Sequence, residues 1–176
     1  MRLESNIIKS KMNNFTIIGI DDKDHPELPE QARAAIVTHY VFSGGKRHHE
    51  IMRDYLPEEH LWIDITVPLD DVFRQYENHL DIVVFASGDP LFFGFANTVL
   101  KRLPDAKITL IPTCNSLQTL AHRILLPYHD MHVVSLTGRP WHEFDRALIE
   151  GQEKIGVLTD REHTPATIAE RMLRYG

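Results

Sequence analysis

The sequence predicts an α/β fold with mainly parallel sheets, and three observations carry the prediction. Short β-rich runs alternate with helical patterns from one end of the chain to the other, the order that builds βαβ units. Several strand runs are continuously apolar rather than alternating, as strands covered on both faces are. The 176 residues, 43% of them hydrophobic, suffice for one large domain or two small ones around real cores.

The elements follow in chain order. "MRLESNIIKSKMNN" has no apolar signal-like core, so residues 1–14 read as a loose leader. "FTIIGI" (15–20) is the first strand, and "PEQARAAIVTHY" (29–40) the first helix, with Pro29 suited to its opening turn. "YVFSG" (40–44) leads into the helix pattern "KRHHEIMRDYL", and "LWIDI" (61–65) into "LDDVFRQYENHL". "DIVVFAS" (81–87) precedes "GFANTVLKRL", and "AKITLIP" (106–112) precedes "SLQTLAHRILL". "MHVVSL" (131–136) is followed by "WHEFDRALIEG", and "KIGVLTD" (154–160) by "TPATIAERMLRYG". This last helix opens on a cap-like Thr164 with Pro165 and closes on Gly176, a good C-terminal cap. The chain turns at "LIPTCNS" (110–116), where a strand ends in Pro112 and a new helix begins. We therefore expect an N-terminal α/β domain over 15–112 and a C-terminal one over 113–176. A βα pattern normally returns to another strand, so the second domain is expected to be incomplete.

Charge and cysteine usage narrow the function classes. Lys+Arg 19 against Asp+Glu 25 gives a net charge of -6, which supplies no positive field to recruit nucleic acid or an anionic membrane. A lone cysteine, Cys114, excludes a disulfide framework and fits a reducing cytoplasm; it reads as a small buried thiol rather than a nucleophile. No apolar run reaches the roughly 18 residues of a membrane span. The expectation is a soluble cytoplasmic protein.

The common motifs are missing. There is no G-x-G, so neither the dinucleotide fingerprint nor the usual methyltransferase loop occurs. Tyr40 stands where a phosphate-binding loop ending in Gly45-Lys46 needs glycine, and Arg53 where "HEIMR" would need a second zinc-binding histidine. No G-x-S-x-G occurs, and "HDMH" (129–132) lacks partners, so no metal is expected. No catalytic side chain is identified.

Five stretches carry the candidate chemistry. In "FASGDPLFFG", Ser87, Gly88, Asp89 and Pro90 lie at the carboxyl end of a strand, where open α/β sheets place ligands. The segment is either an ordinary Asp-Pro turn or a ligand loop, and the apolar residues that follow suit a pocket wall. In "FSGGKRHHEIMR", Lys46, Arg47, His48 and His49 crowd a helix start where the dipole disfavours cations. They form either a solvated basic face or an anion site. In "IPTCNSLQTLAHR", Asn115 and Ser116 serve as helix caps or ligand contacts. Arg139 in "VVSLTGRPWHEF" is a surface residue or a partner for a carboxylate. Thr159 and Thr164 in "VLTDREHTP" have loop and cap roles or line a cleft.

These stretches, in this order, resemble the tetrapyrrole (corrin/porphyrin) methylase family, from about Phe15 to Gly176. "GGKRHHEIM", "FASGDPLFFG", "IPTCNSLQTLAHRILLPYHD", "VVSLTGRP" and "VLTDREHTPATIA" carry the resemblance, and it is greatest to the family's C5-methylating branch. The resemblance implies a two-domain homodimer that binds S-adenosylmethionine (SAM) between its domains. It implies methyl transfer to C5 of a corrin-ring precursor, at the precorrin-6Y/precorrin-7 stage of cobalamin biosynthesis. It assigns the cofactor to Ser87, Gly88, Asp89, Pro90, Asn115, Ser116, Thr159 and Thr164. The carboxylate-rich tetrapyrrole then makes Lys46, Arg47, His48 and Arg139 candidates for its rim. Some relatives are fused to a domain that methylates C15 and decarboxylates. The chain departs from the family at "GIDDKDHPEL" (19–28), where Asp21 and Asp22 replace small residues. The competing reading is a non-catalytic α/β module that binds a nucleotide or phosphorylated metabolite.

Overall fold

The computed structural model describes residues 12–175. Most of the expected leader lies outside them, but Asn13 is already buried and the first strand starts at Asn14. Contacts divide the chain into two compact units, one ending at Cys114 and the other starting at Asn115.

The first unit is a five-stranded parallel sheet in the order β3-β2-β4-β1-β5, formed by β1 (Asn14–Ile20), β2 (Val41–Gly44), β3 (Leu61–Asp64), β4 (Asp81–Ser87) and β5 (Lys107–Ile111). Helices α1 (Glu30–Thr38), α2 (Lys46–Met52), α3 (Leu69–Tyr76) and α4 (Phe95–Arg102) connect the strands, with a short 3-10 turn (Arg53–Tyr55) after α2. The strands reverse direction of travel: β1 to β3 moves across the sheet one way, β3 to β5 the other. Because crossovers share one hand, reversal sends the helices to opposite faces.

The two cores record this division. One gathers Phe15, Ile17, Ile82, Val84 and Ala86 with Val72, Phe73 and Tyr76 of α3 and Ala96 and Val99 of α4. The other gathers Ile18, Ile20, Val83 and Phe85 with Ala32 and Ile36 of α1 and Met52 of α2. Successive β4 residues thus alternate between two covered faces, which is why the strand reads as one unbroken apolar run.

Buried polar groups inside this unit are matched. Ser43 is fully buried and donates to the Ile63 carbonyl at 2.7 Å, so its oxygen accepts from the Tyr76 hydroxyl at 2.6 Å. Burial holds the Tyr76 phenol well above its ordinary pKa. Asn13 donates to the carbonyls of Tyr76, the last residue of α3, and of His79 just beyond it, satisfying acceptors that the helix end leaves open.

The second unit contains α5 (Ser116–Arg123), α6 (His142–Ile149), α7 (Pro165–Met172) and a parallel pair, β6 (His132–Ser135) with β7 (Ile155–Leu158). Val134, Leu136, Phe144 and Ala147 form its core. Asp145 on α6 takes a two-pronged ion pair from Arg171 on α7, whose guanidinium lies 5.4 Å from the Trp141 ring centre. No helix among the described residues is long and apolar enough to cross a membrane.

One expectation is corrected. Cys114 is exposed, not buried. β5 ends at Ile111, so the thiol sits on an extended connection rather than on a covered strand face.

Candidate functional site

In the first unit, the neighbours β1 and β4 send their connections across the sheet in opposite directions, and the loops leaving their carboxyl ends diverge. The Ser87–Pro90 segment is the loop leaving β4. Gly88 takes φ 63°, a left-handed conformation that side chains resist. This bend lets its N–H donate to the Ile20 carbonyl at the end of β1, 2.8 Å away. It also seats the Gly88 carbonyl on Gly19, where a Cβ atom would meet that oxygen at 1.9 Å. The loop therefore lies directly on the adjacent strand, and Gly19 has to be glycine. Sequence reading passed over Gly19, although a lone glycine inside a strand run signals close backbone approach.

The carboxylate in the Ser87–Pro90 loop has a local task. Asp89 Oδ1 accepts from the Leu91 N–H at 2.8 Å, closing a turn that the Phe92 N–H extends to the Asp89 carbonyl. Pro90 is buried, and its carbonyl accepts from Ala96 N–H in the first turn of α4. Asn97 reaches back to the carbonyls of Leu91 and Gly94. The loop is thus tied at both ends, while Ser87 is exposed and Gly88 and Asp89 half-buried. Beyond it Leu91 and Phe93 present apolar surface, each 46% exposed.

The basic cluster is dispersed. Lys46 is exposed. Arg47 donates to the Asp22 carbonyl and approaches its carboxylate at 3.9 Å, joining α2 to the acidic loop after β1. His48 turns toward the β4 loop, with Nε2 2.9 Å from Ser87 Oγ. His49 stacks on Trp62 with ring centres 4.1 Å apart. Burial, aided by the neighbouring Arg47 charge, holds His48 below the ordinary histidine pKa, favouring the neutral ring.

In the second unit, Asn115 caps α5 through a reciprocal pair with Gln118, so its Oδ1 is committed. Ser116 is exposed at the first helical position. Thr164 caps α7 ahead of Pro165 in the same way. Arg139 folds back to donate to Ser135 Oγ at 2.6 Å.

Asp160, which sequence reading did not single out, organises this end of the unit. Its carboxylate accepts from the Gly138, Glu162 and His163 N–H groups at 2.7–2.9 Å and from His163 Nδ1 at 3.0 Å. The backbone donors, His163 first and Gly138 next, hold its carboxyl far below the usual carboxylate range. Together with the Thr137 hydroxyl, which donates to the Thr159 carbonyl at 3.2 Å, this side chain joins the loop after β6 to the loop after β7, which bears Thr159 and leads to Thr164. Replacing Asp160 by alanine should speed amide exchange at Gly138, Glu162 and His163 by about tenfold or more, measured by hydrogen–deuterium exchange. Unchanged exchange would remove the organising role.

A shallow open hollow also occurs at the opposite end of the sheet, where Thr38, His39, Tyr40, Val41, Asn78, His79, Leu80 and Asp81 surround the amino ends of β2 and β4. Open α/β sheets bind ligands at the carboxyl end, so the β1 and β4 loops are the stronger candidate.

Comparison with known proteins shows the family of the chain. Residues 14–176 match the family model described as Tetrapyrrole (Corrin/Porphyrin) Methylases. The chain is 30% identical over 165 residues to a precorrin-6Y C(5,15)-methyltransferase [decarboxylating] of Sinorhizobium sp, with 92% of this chain and 39% of that one covered. It is 26% identical over 163 residues to the cobalt-precorrin-7 C(5)-methyltransferase of Salmonella typhimurium, covering 92% and 79%. Among solved structures, uroporphyrin-III C-methyl transferase from Thermus thermophilus, complexed with S-adenyl homocysteine, superposes with a TM-score of 0.65 at 21% identity, covering 93% and 73%. The chain thus spans about two fifths of the Sinorhizobium relative and about four fifths of the Salmonella one.

Proposed function

Because the chain belongs to the tetrapyrrole (corrin/porphyrin) methylase family, we propose that it is a SAM-dependent methyltransferase that acts on C5 of a precorrin in cobalamin biosynthesis. The observation that carries this reading is the β4 loop. It is a rigid turn seated on β1 by a glycine pair, bearing an exposed hydroxyl and a half-buried carboxylate. The C5 position is supported by the activities for which these two relatives are named, precorrin-6Y C(5,15) and cobalt-precorrin-7 C(5) methylation.

The residues present suit such a cofactor. The methionine end of SAM is a zwitterion and needs both a donor and an acceptor. Ser87 offers a hydroxyl, and Asp89 offers the carboxylate oxygen that its turn leaves over. Ser87, Gly88, Asp89 and Pro90 would hold that end, with Asn115, Ser116, Thr159 and Thr164 as contributors from the second unit. When bound, the sulfonium supplies an activated methyl group. The chain's part is to orient it toward the carbon nucleophile of an electron-rich ring and to keep water out. Leu91 and Phe93 suit the second task. No acid–base dyad is required, in keeping with the absence of one from the motifs.

Lys46, Arg47 and Arg139 are the proposed partners of the tetrapyrrole's carboxylates. A soluble cytoplasmic homodimer completes the reading, supported by the family resemblance and by the lone cysteine. The "[decarboxylating]" relative supports a cooperating C15 activity on a further domain.

Titration calorimetry tests the core of this reading. S-adenosylhomocysteine (SAH) should bind near micromolar and ATP should not. Binding of ATP alone would favour a nucleotide-binding module instead. Arg47→Ala should weaken tetrapyrrole binding roughly tenfold while SAH affinity stays within about twofold, the expected loss of one charge-assisted bond. Equal loss of both would remove Arg47 from the substrate rim.

A further inference from the structure

We propose that His48 is a positioning residue for the β4 loop: it presets the Ser87 hydroxyl as a hydrogen-bond donor to a carboxylate oxygen of the bound cofactor. The inference rests on the reading of that loop as the holder of the methionine end, and it moves His48 from the tetrapyrrole rim to the cofactor side.

The argument runs through the two ring nitrogens. The Gly45 N–H points at His48 Nδ1, 3.3 Å away, closing the N-terminal turn of α2 on itself. A backbone N–H can only donate, so Nδ1 must be the bare, accepting nitrogen. In the neutral ring the proton then sits on Nε2. Burial and Arg47 favour that neutral ring. Nε2 faces Ser87 Oγ at 2.9 Å, and it therefore donates to the serine oxygen.

A serine hydroxyl has one proton. With one of its two lone pairs taken by the histidine N–H, Ser87 must point its proton elsewhere, and its exposed position directs that donation away from the fold. The hydroxyl is no longer a free rotor, because its proton is turned away from the imidazole and toward the exposed side. It is matched to an anionic oxygen, and a fixed donor loses less freedom on binding than a rotating one. The relay also explains the placement of Gly44, which ends β2 beside α2. A Cβ there would meet the His48 Cβ and the Trp62 ring at 3.0 Å, pressing on the histidine that reaches Ser87.

The test uses the whole chain and SAH as the probe. His48→Leu and Ser87→Ala should each weaken SAH binding about tenfold by calorimetry, and His48→Gln, which keeps a donor at the Nε2 position, should recover to within about threefold of wild type. The double variant His48→Leu/Ser87→Ala should bind no worse than Ser87→Ala, because one interaction is removed twice. Imidazole nitrogen NMR of the unliganded protein should show His48 neutral with its proton on Nε2.

Wild-type affinity in His48→Leu, or additive losses in the double variant, would overturn the inference and leave the functional reading standing. So would a proton on Nδ1. A wild type that binds no SAH would overturn the functional reading itself, and this inference with it. Should His48→Leu fail to fold, Ser87→Ala, His48→Gln and the tautomer spectrum still decide.

Discussion

Replacing Gly19 by alanine is expected to destabilise the first unit by about 3 kcal/mol or more, the upper range for overpacking a site that cannot relax. The added Cβ would stand 1.9 Å from the Gly88 carbonyl oxygen and 2.9 Å from the Thr113 N–H. Both neighbours are backbone, so no side-chain rotation relieves the clash. The β4 loop would have to lift from β1, breaking the Gly88 N–H bond to the Ile20 carbonyl. Cofactor binding should fall with it. Gly45→Ala is the control: its Cβ would meet nothing nearer than His48 Nδ1 at 3.9 Å. Its cost should be about 1 kcal/mol, the usual penalty for alanine at a helix N-cap. Urea unfolding measures both. A Gly19→Ala protein within about 1 kcal/mol of wild type would contradict the close seating of the loop.

Asp89 should yield the largest loss of ligand affinity among the proposed contacts, and two substitutions separate its two tasks. Asp89→Asn keeps a side-chain oxygen to accept from the Leu91 N–H, so the turn should survive and stability should stay within about 0.5 kcal/mol of wild type. Its charge is gone, however, and SAH affinity should fall about tenfold to a hundredfold, the scale of one hydrogen bond between charged groups. Asp89→Ala loses the turn acceptor as well, and should lose stability in addition to affinity. Calorimetry with thermal unfolding distinguishes the cases. If Asp89→Asn binds SAH as wild type does, the carboxylate serves the turn alone and faces no cationic group of the ligand.

The expected strands and helices all occur, with ends that differ by a few residues. The runs 81–87 and β4 coincide, because two covered faces leave an unmistakable apolar stretch. Helix ends proved shorter than their patterns. The pattern from Lys46 to Leu56 stops as α-helix at Met52 and continues only as a 3-10 turn. Periodicity reports a face, whereas a helix end depends on which carbonyls find other partners.

The candidate site was legible as a set of loops and not as a set of contacts. Gly88, Asp89 and Pro90 were readable from the strand-end turn they make. Asn115 and Thr164 turned out to commit side-chain oxygens to helix caps, a role their position before a helix already allowed. Asp160 escaped notice because its amide partner Gly138 lies 22 residues away. His48 looked like one member of a basic run, yet its neighbours diverge to Asp22 and Trp62 while it alone turns to Ser87.

What the sequence by itself determined was the alternation of strand and helix, the two-sided burial of the central strands, the turn at Gly88-Asp89-Pro90 and, through ordered motifs, the family. Each of these is a local matter of side-chain period, backbone freedom or short-range hydrogen bonding. Only the tertiary structure decided that β4 lies beside β1, that Gly19 is the floor beneath Gly88, and that a histidine 39 residues before Ser87 meets its hydroxyl. Those pairings depend on strand order and on which face each helix covers, and neither is written in any short stretch of chain.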